Sequence, residues 1–167
     1  MKRLIILRGN SGSGKTTVAK LLQERLGRHT MLISQDVIRR EVLKVKETED
    51  NPTMDLIQQM TRFGWQHGWG TVIIEGIFHK DKYRFGLKTL IDDADAAHIF
   101  YFDIPFDETV RRHATKPNAS DFGEETMREW WKDQDYLKVE NEEVISSGLS
   151  AEEIVMKISN IISGESK

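Results

Sequence analysis

The chain has no cysteine, which excludes a disulfide scaffold, thiolate metal ligation and a cysteine nucleophile. Its five histidines show neither H-x-x-x-H nor H-E-x-x-H spacing, so no zinc site is indicated. An N-K-x-D guanine-recognition motif is absent, as are internal repeats and low-complexity segments. No apolar run approaches the ~18 residues that a bilayer span needs. The N-terminal run, Leu4–Leu7, stops after four residues, too short for the core of a signal peptide. A cytoplasmic setting without membrane attachment is therefore expected.

What is present is an ordinary globular composition, 38% hydrophobic and 31% charged over 167 residues, with room for a single domain spanning 1–167. The net charge of −3 is unevenly spread. Residues 1–46 carry eleven Lys/Arg against three Asp/Glu, whereas residues 121–143 carry nine acids against three bases. Anionic ligands should prefer the first third.

Short apolar runs alternate with amphipathic stretches, the pattern of βαβ units in a doubly wound parallel sheet. Strands are expected at Leu4–Leu7, Met31–Ser34, Thr71–Glu75 and His98–Asp103, with Val144–Ile145 as a weak fifth. Helices are expected over Lys15–Leu26, from Asp36 as cap through Leu43, and from Pro52 to about His67. Others fall around Tyr83–Ile91, from Pro105 through Val110, and over Glu124–Leu137. The last helix is marked by Ser150 and Glu153, three residues apart as in a capping box. The expected fold class is α/β: a doubly wound parallel sheet of five strands with a short helical lid at about 111–123.

Gly9-Asn10-Ser11-Gly12-Ser13-Gly14-Lys15-Thr16 fits G-x-x-x-x-G-K-[ST] at every fixed position, between a buried strand and an amphipathic helix. Glycines let successive N–H groups turn inward onto phosphate oxygens, and the helix N-terminus adds partial positive charge. Lys15 suits the β- and γ-phosphates of ATP, and the Thr16 hydroxyl suits Mg²⁺. Thr17 completes the nucleotide-binding set.

Three further features bear on the reaction. Asp36, beyond the second strand, stands where a carboxylate can accept a hydrogen bond from an acceptor hydroxyl and aim it at the γ-phosphorus. Arg39 or Arg40 suits an anionic part of that acceptor. Glu75, closing an apolar strand, suits a Mg²⁺-bound water; Asp103 is its rival but reads better as a turn residue before Pro105. Arg111 and Arg112 precede a polar segment fit for a phosphate-covering lid, with Arg112 preferred for transition-state charge and Arg111 as a nucleotide contact. His79, Tyr83 and Arg84 lie just beyond the third strand, on the acceptor side. Asp121-Phe122-Gly123 copies a protein-kinase magnesium motif without its companion motifs, and reads as chance. Of the adjacent Trp130 and Trp131, one is expected inward and the other outward or in a cleft.

The segments GNSGSGKTT, SQDVIRRE, VIIEGIF, FYFDIPFDETVRRHATKP and SSGLSAEEIVMKI resemble the small P-loop kinases that include gluconate kinase, chloramphenicol phosphotransferase, polynucleotide 5′-kinase and the zeta-toxin type. The resemblance implies an acceptor-side catalytic role for Asp36, a D-x-x-R pair in Asp36 and Arg39, and a lid arginine at Arg111 or Arg112. Gly76–Ala97 matches no one member, so the acceptor stays open. A hydroxyl-bearing small molecule is the first expectation. A 5′-hydroxyl nucleic acid or nucleotide is the second, and a nucleotide-dependent switch without acceptor chemistry the third.

Overall fold

In the computed structural model, which describes residues 1–115 and 123–164, five strands form one parallel sheet. They are β1 (Arg3–Gly9), β2 (Thr30–Ser34), β3 (Thr71–Gly76), β4 (Ala96–Asp103) and β5 (Glu142–Ser146), in the order β2-β3-β1-β4-β5. The helices are α1 (Lys15–Leu26), α2 (Gln35–Val37), α3 (Thr53–Gln66), α4 (Lys80–Asp93), α5 (Phe106–Ala114), α6 (Glu124–Trp130) and α7 (Ala151–Gly164).

The continuous apolar character of β1, β3 and β4 reflects burial on both faces. Successive side chains of β1 alternate between two cores. Ile5 and Leu7 join Val18 and Leu22 of α1 and Ile158 of α7. Leu4 and Ile6 join Ile57 of α3 and Leu87 and Leu90 of α4. Each such fully buried aliphatic side chain contributes about 1.5–3 kcal/mol. With β3 directly beside β1, Leu7 pairs with Glu75, and strand C-termini, loop and carboxylate meet at one edge of the sheet.

Local chemistry explains the element ends. Asn51 Oδ1 accepts from the Thr53 amide at 3.2 Å as α3 begins. The α7 capping box is formed in both directions: Ser150 Oγ accepts from the Glu153 amide at 3.2 Å, and Glu153 Oε2 from the Ser150 amide at 2.7 Å.

Three expectations are corrected. Asp36 is not a helix cap; it lies inside the first turn, and α2 gives way after Val37 to a π-helical turn at Ile38–Val42, closed by a Leu43 N–H bond to the Ile38 carbonyl. The helix expected over 124–137 stops at Trp130. Trp131 turns extended (φ −64°, ψ 130°), because its ring packs edge-on against Phe106 at 5.1 Å and the next backbone amide pairs with Asn10. The fifth strand is longer than two residues, but only Ile145 in it is buried, which explains its faint sequence signal. Residues 116–122 of the expected lid, with Asp121 and Phe122, lie outside the described residues. No helix among the described residues is long and apolar enough to cross a membrane.

Candidate functional site

The loop between β1 and α1 is shaped by close approaches that tolerate no side chain. Gly12 has φ +78°, and a Cβ there would lie 2.5 Å from the Thr109 carbonyl oxygen. Gly9, at φ +144°, would meet the Phe102 carbonyl oxygen at 2.7 Å. Gly14 precedes α1 at φ +95°, so the loop turns directly into a helix N-terminus, with its exposed backbone donors and partial positive charge.

Lys15 is buried by its own loop: its ammonium donates to the Asn10 carbonyl at 2.8 Å and to Ser13 Oγ at 3.1 Å. Asn10 uses its side chain structurally. Its Nδ2 donates to the Lys132 carbonyl at 2.7 Å, and its Oδ1 accepts from the Lys132 amide at 3.0 Å, a two-way pairing that fastens the loop to the chain beyond α6.

The oxygen set expected for a divalent cation comes together. Thr16 Oγ1 donates to Glu75 Oε2 at 3.2 Å, and Ser34 Oγ donates to Glu75 Oε1 at 2.5 Å. Glu75 is buried at the end of β3. Hard oxygen donors, few in number and beside a phosphate loop, fit Mg²⁺, which keeps several waters and phosphate oxygens as ligands. Asp103, the rival carboxylate, instead accepts from the Tyr136 hydroxyl at 2.7 Å, and this bond pushes that phenol up to about 12.

A cleft of about 900 Å³ runs from this loop to the start of α4. Ser11, Gly12, Gly14, Lys15, Thr16 and Thr17 line one end; Asp36, Arg39, His79 and Tyr83 line the other. Asp36 presents its carboxylate at 63% exposure, paired with Arg40 Nε at 2.7 Å and Arg39 Nη2 at 3.2 Å. His79 precedes α4, and its Nε2 is buried with no hydrogen-bond partner among the described residues. Burial lowers its pKa, against the opposing pull of Asp135 and Asp81. Tyr83 is held up at about 12, by burial first and by its hydrogen bond to Glu47 second.

The two arginines of α5 separate clearly. Arg112 Nη1 donates to the Ser13 carbonyl at 3.1 Å while its Nε holds Glu108 at 2.7 Å, which keeps the Glu108 carboxyl below its ordinary value. Arg111 is 78% exposed and pairs with Glu108 at 2.5 Å; neither arginine lines the cleft itself, and what separates them is the Arg112 bond to the phosphate loop. Arg84 is likewise exposed and away from the cleft lining, so the helical turn that brings Tyr83 in carries Arg84 out. Trp130 lines the cleft and Trp131 packs on Phe106.

Several site residues were not singled out by sequence reasoning. Gln35 is buried beside Asp36, and its Oε1 accepts from the Phe78 amide at 3.3 Å; its adjacency to Asp36 was the available signal. Glu47 sits in a polar stretch without periodicity. Arg8, counted in sequence as part of a basic region, is wholly buried. Its Nη2 donates to Asp135 Oδ2 at 2.8 Å and to the Phe78 carbonyl at 2.9 Å, and its Nη1 to Glu142 at 3.3 Å and to the Asp135 carbonyl.

Comparison with known proteins bears on fold and family. No curated protein matches the sequence. The fold is similar to that of APS kinase from Mycobacterium tuberculosis in complex with AMPPNP and APS, at 16% identity and TM-score 0.70, covering 97% of this chain and 98% of that one. It is also similar to a gluconokinase from Sinorhizobium meliloti (18% identity, TM-score 0.62, 98% and 97% covered). Shikimate kinase from Aquifex aeolicus gives 18% identity and TM-score 0.57, with 98% of each chain covered. The family model described as AAA domain matches residues 4–137, so the chain belongs to that family of P-loop proteins, with the fold of the small P-loop kinases.

Proposed function

We propose that the protein is an ATP- and Mg²⁺-dependent phosphotransferase that moves the γ-phosphate to a hydroxyl of a small-molecule acceptor, working as one domain. The observation that carries this reading is the single cleft that holds the phosphate loop at one end and an exposed, doubly paired carboxylate, Asp36, at the other. Its volume of about 900 Å³ lies near the top of the ~300–1,000 Å³ range of small-ligand sites, in keeping with a nucleotide and a compact second substrate. The similar APS kinase was solved with AMPPNP and APS together, which supports a two-ligand use of this cleft.

Mg²⁺, when bound, offsets charge on the β- and γ-phosphates; Thr16 and Glu75 would hold it, directly or through water. The loop amides and Lys15 bind the phosphates. Asp36 accepts a hydrogen bond from the acceptor hydroxyl and orients its oxygen in line with the γ-phosphorus. The new P–O bond forms as the bond to the leaving ADP oxygen breaks, and the hydroxyl proton passes to Asp36 or solvent. Such positioning and charge stabilisation supply most of the catalysis in phosphoryl transfer. Arg112, fixed to the Ser13 carbonyl, is the nearer of the two arginines to the phosphate loop and takes the charge-stabilising role. His79 and Tyr83 form the acceptor wall.

The test is a radiolabelled γ-phosphate transfer screen over sugars, nucleosides, antibiotics and 5′-hydroxyl oligonucleotides, with Asp36→Ala and Lys15→Ala as controls. Expected is a small-molecule product that disappears in Asp36→Ala while ATP binding survives, with weakened phosphate engagement in Lys15→Ala. Undiminished transfer by Asp36→Ala overturns the role given to that residue. Labelling of oligonucleotides alone, with binding that falls steeply with salt, moves the substrate class to nucleic acid.

A further inference from the structure

Asp36 does not stand alone at the acceptor end; it terminates a chain of four side chains from three segments. The Tyr83 hydroxyl, on α4, donates to Glu47 Oε1 at 2.5 Å. Glu47, in the loop between the π-helical turn and α3, takes Arg39 Nε on its other oxygen at 3.0 Å. Arg39 Nη2 reaches Asp36 Oδ1 at 3.2 Å. The chain is anchored at both ends, because Arg40 Nε holds the same Asp36 oxygen at 2.7 Å and the Tyr83 ring packs edge-on against buried Phe78 at 5.5 Å.

The order of protons along the chain is fixed by chemistry. Tyr83, held up at about 12, is a protonated donor at neutral pH. Arg39 is always a donor. Glu47 is therefore the one acceptor between two donors, and its carboxylate sets where the Arg39 fork points. Arg39 is only 15% exposed, so its charge is poorly shared with water and depends on its two carboxylate partners. Remove Glu47, and the guanidinium loses the partner that holds its Nε edge away from Asp36. Asp36 is then its one remaining carboxylate partner, beside the Val45 carbonyl that accepts from Nη1 at 3.4 Å, and the guanidinium competes with any hydroxyl that Asp36 should receive.

We infer that Glu47 is a positioning residue for phosphoryl transfer: clamped by Tyr83, it orients Arg39 and thereby keeps the Asp36 carboxylate aimed and available at the acceptor end of the cleft. This rests on the role proposed for Asp36. It also assigns a purpose to the polar loop around 47, which joins the acceptor wall on α4 to the carboxylate beyond β2.

The test pairs a spectroscopic and a kinetic readout on the full chain. In Glu47→Gln and Tyr83→Phe, the Asp36 carboxyl carbon and Arg39 Nε resonances are expected to move, while the Gly12 and Gly14 amides stay in place. With MgATP and water as the acceptor probe, phosphate release by Glu47→Gln should fall about tenfold in kcat, a barrier change of about 1.4 kcal/mol, with KM for MgATP changed less than about twofold. In an Asp36→Asn background the same Glu47→Gln change should cost nothing further, since interacting groups are non-additive. Asp36 and Arg39 resonances superimposable on the parent in both variants overturn the inference, as does an equal Glu47→Gln effect with and without the Asp36 carboxylate. An Asp36→Asn protein as fast as the parent removes the catalytic role of Asp36 instead, and the resonances then decide whether the side-chain relay itself exists.

Discussion

Replacing Asp135 by Asn tests the idea that a buried cation organises this end of the fold. Arg8 has no exposed surface, and Asp135 and Glu142 keep only 7% and 6% of their side chains exposed. Removing one partner of a buried pair costs about 3–5 kcal/mol, because the remaining charge is left uncompensated. Here Glu142 still faces Arg8 Nη1 at 3.3 Å, and the Phe78 carbonyl still accepts from Nη2 at 2.9 Å. The expected cost therefore sits at the low end, about 3 kcal/mol. With a urea dependence of about 2 kcal/mol/M, the unfolding midpoint should fall by about 1.5 M. Adding Arg8→Met removes the stranded charge. Glu142 is not orphaned by this, since it accepts from the Leu137 and Lys138 amides at 2.9 and 2.8 Å. The double variant should then recover about 2 kcal/mol relative to the sum of the single changes. A midpoint shift under about 0.3 M for Asp135→Asn, or strict additivity in the double variant, would mean that the buried Arg8 does not depend on Asp135 for its compensation.

Other consequences are open to direct measurement. Gly12→Ala places a Cβ against the Thr109 carbonyl at positive φ; a backbone cost of about 1–2 kcal/mol before any clash should appear as a lower Tm and weaker ATP binding by calorimetry. Ser150→Ala breaks one arm of the α7 capping box and should cost about 1 kcal/mol, a Tm decrease of about 2–4 °C by scanning calorimetry; an unchanged Tm would show the cap to be idle. For His79, burial lowers the folded-state pKa below 6.5, so the unfolded chain takes up this proton first. Stability should therefore decline as pH falls from the unfolded value through the lowered folded value, and level off below it. His79→Gln should flatten that limb in urea melts taken across mildly acidic pH, and an identical slope would count against it.

The legibility of the sequence followed the physics of each signal. β1, β3 and β4 could be read because burial on both faces demands uninterrupted apolar residues, and the phosphate loop because its fixed glycines answer to a backbone collision at Gly9 and a left-handed φ of +95° at Gly14. The resemblance to small P-loop kinases implies that β3 lies beside β1, and that adjacency is what brings Glu75 to Thr16. The segment 131–137 is not the helix that the sequence suggests because its conformation is set by partners distant in sequence: Asn10 for Lys132, Arg8 for Asp135. The inward turn of Arg8 had the same cause, since a cation at the end of an apolar strand gives no sign of carboxylates more than a hundred residues away. Glu47 was hidden for a related reason: a loop glutamate acquires meaning only once Tyr83 and Arg39 are seen on either side of it.

The clasp between Asn10 and Lys132 has a consequence for how the molecule opens. Because the Lys132 amide is bonded to a side chain of the phosphate loop and not to a helix or strand neighbour, its proton can exchange with solvent only when loop and segment part. Its deuterium exchange rate therefore times that single event, separately from global unfolding. A nucleotide that stiffens the loop should slow exchange at Lys132, some 120 residues down the chain from the glycines it touches. One backbone amide thus serves as a built-in clock for the phosphate site.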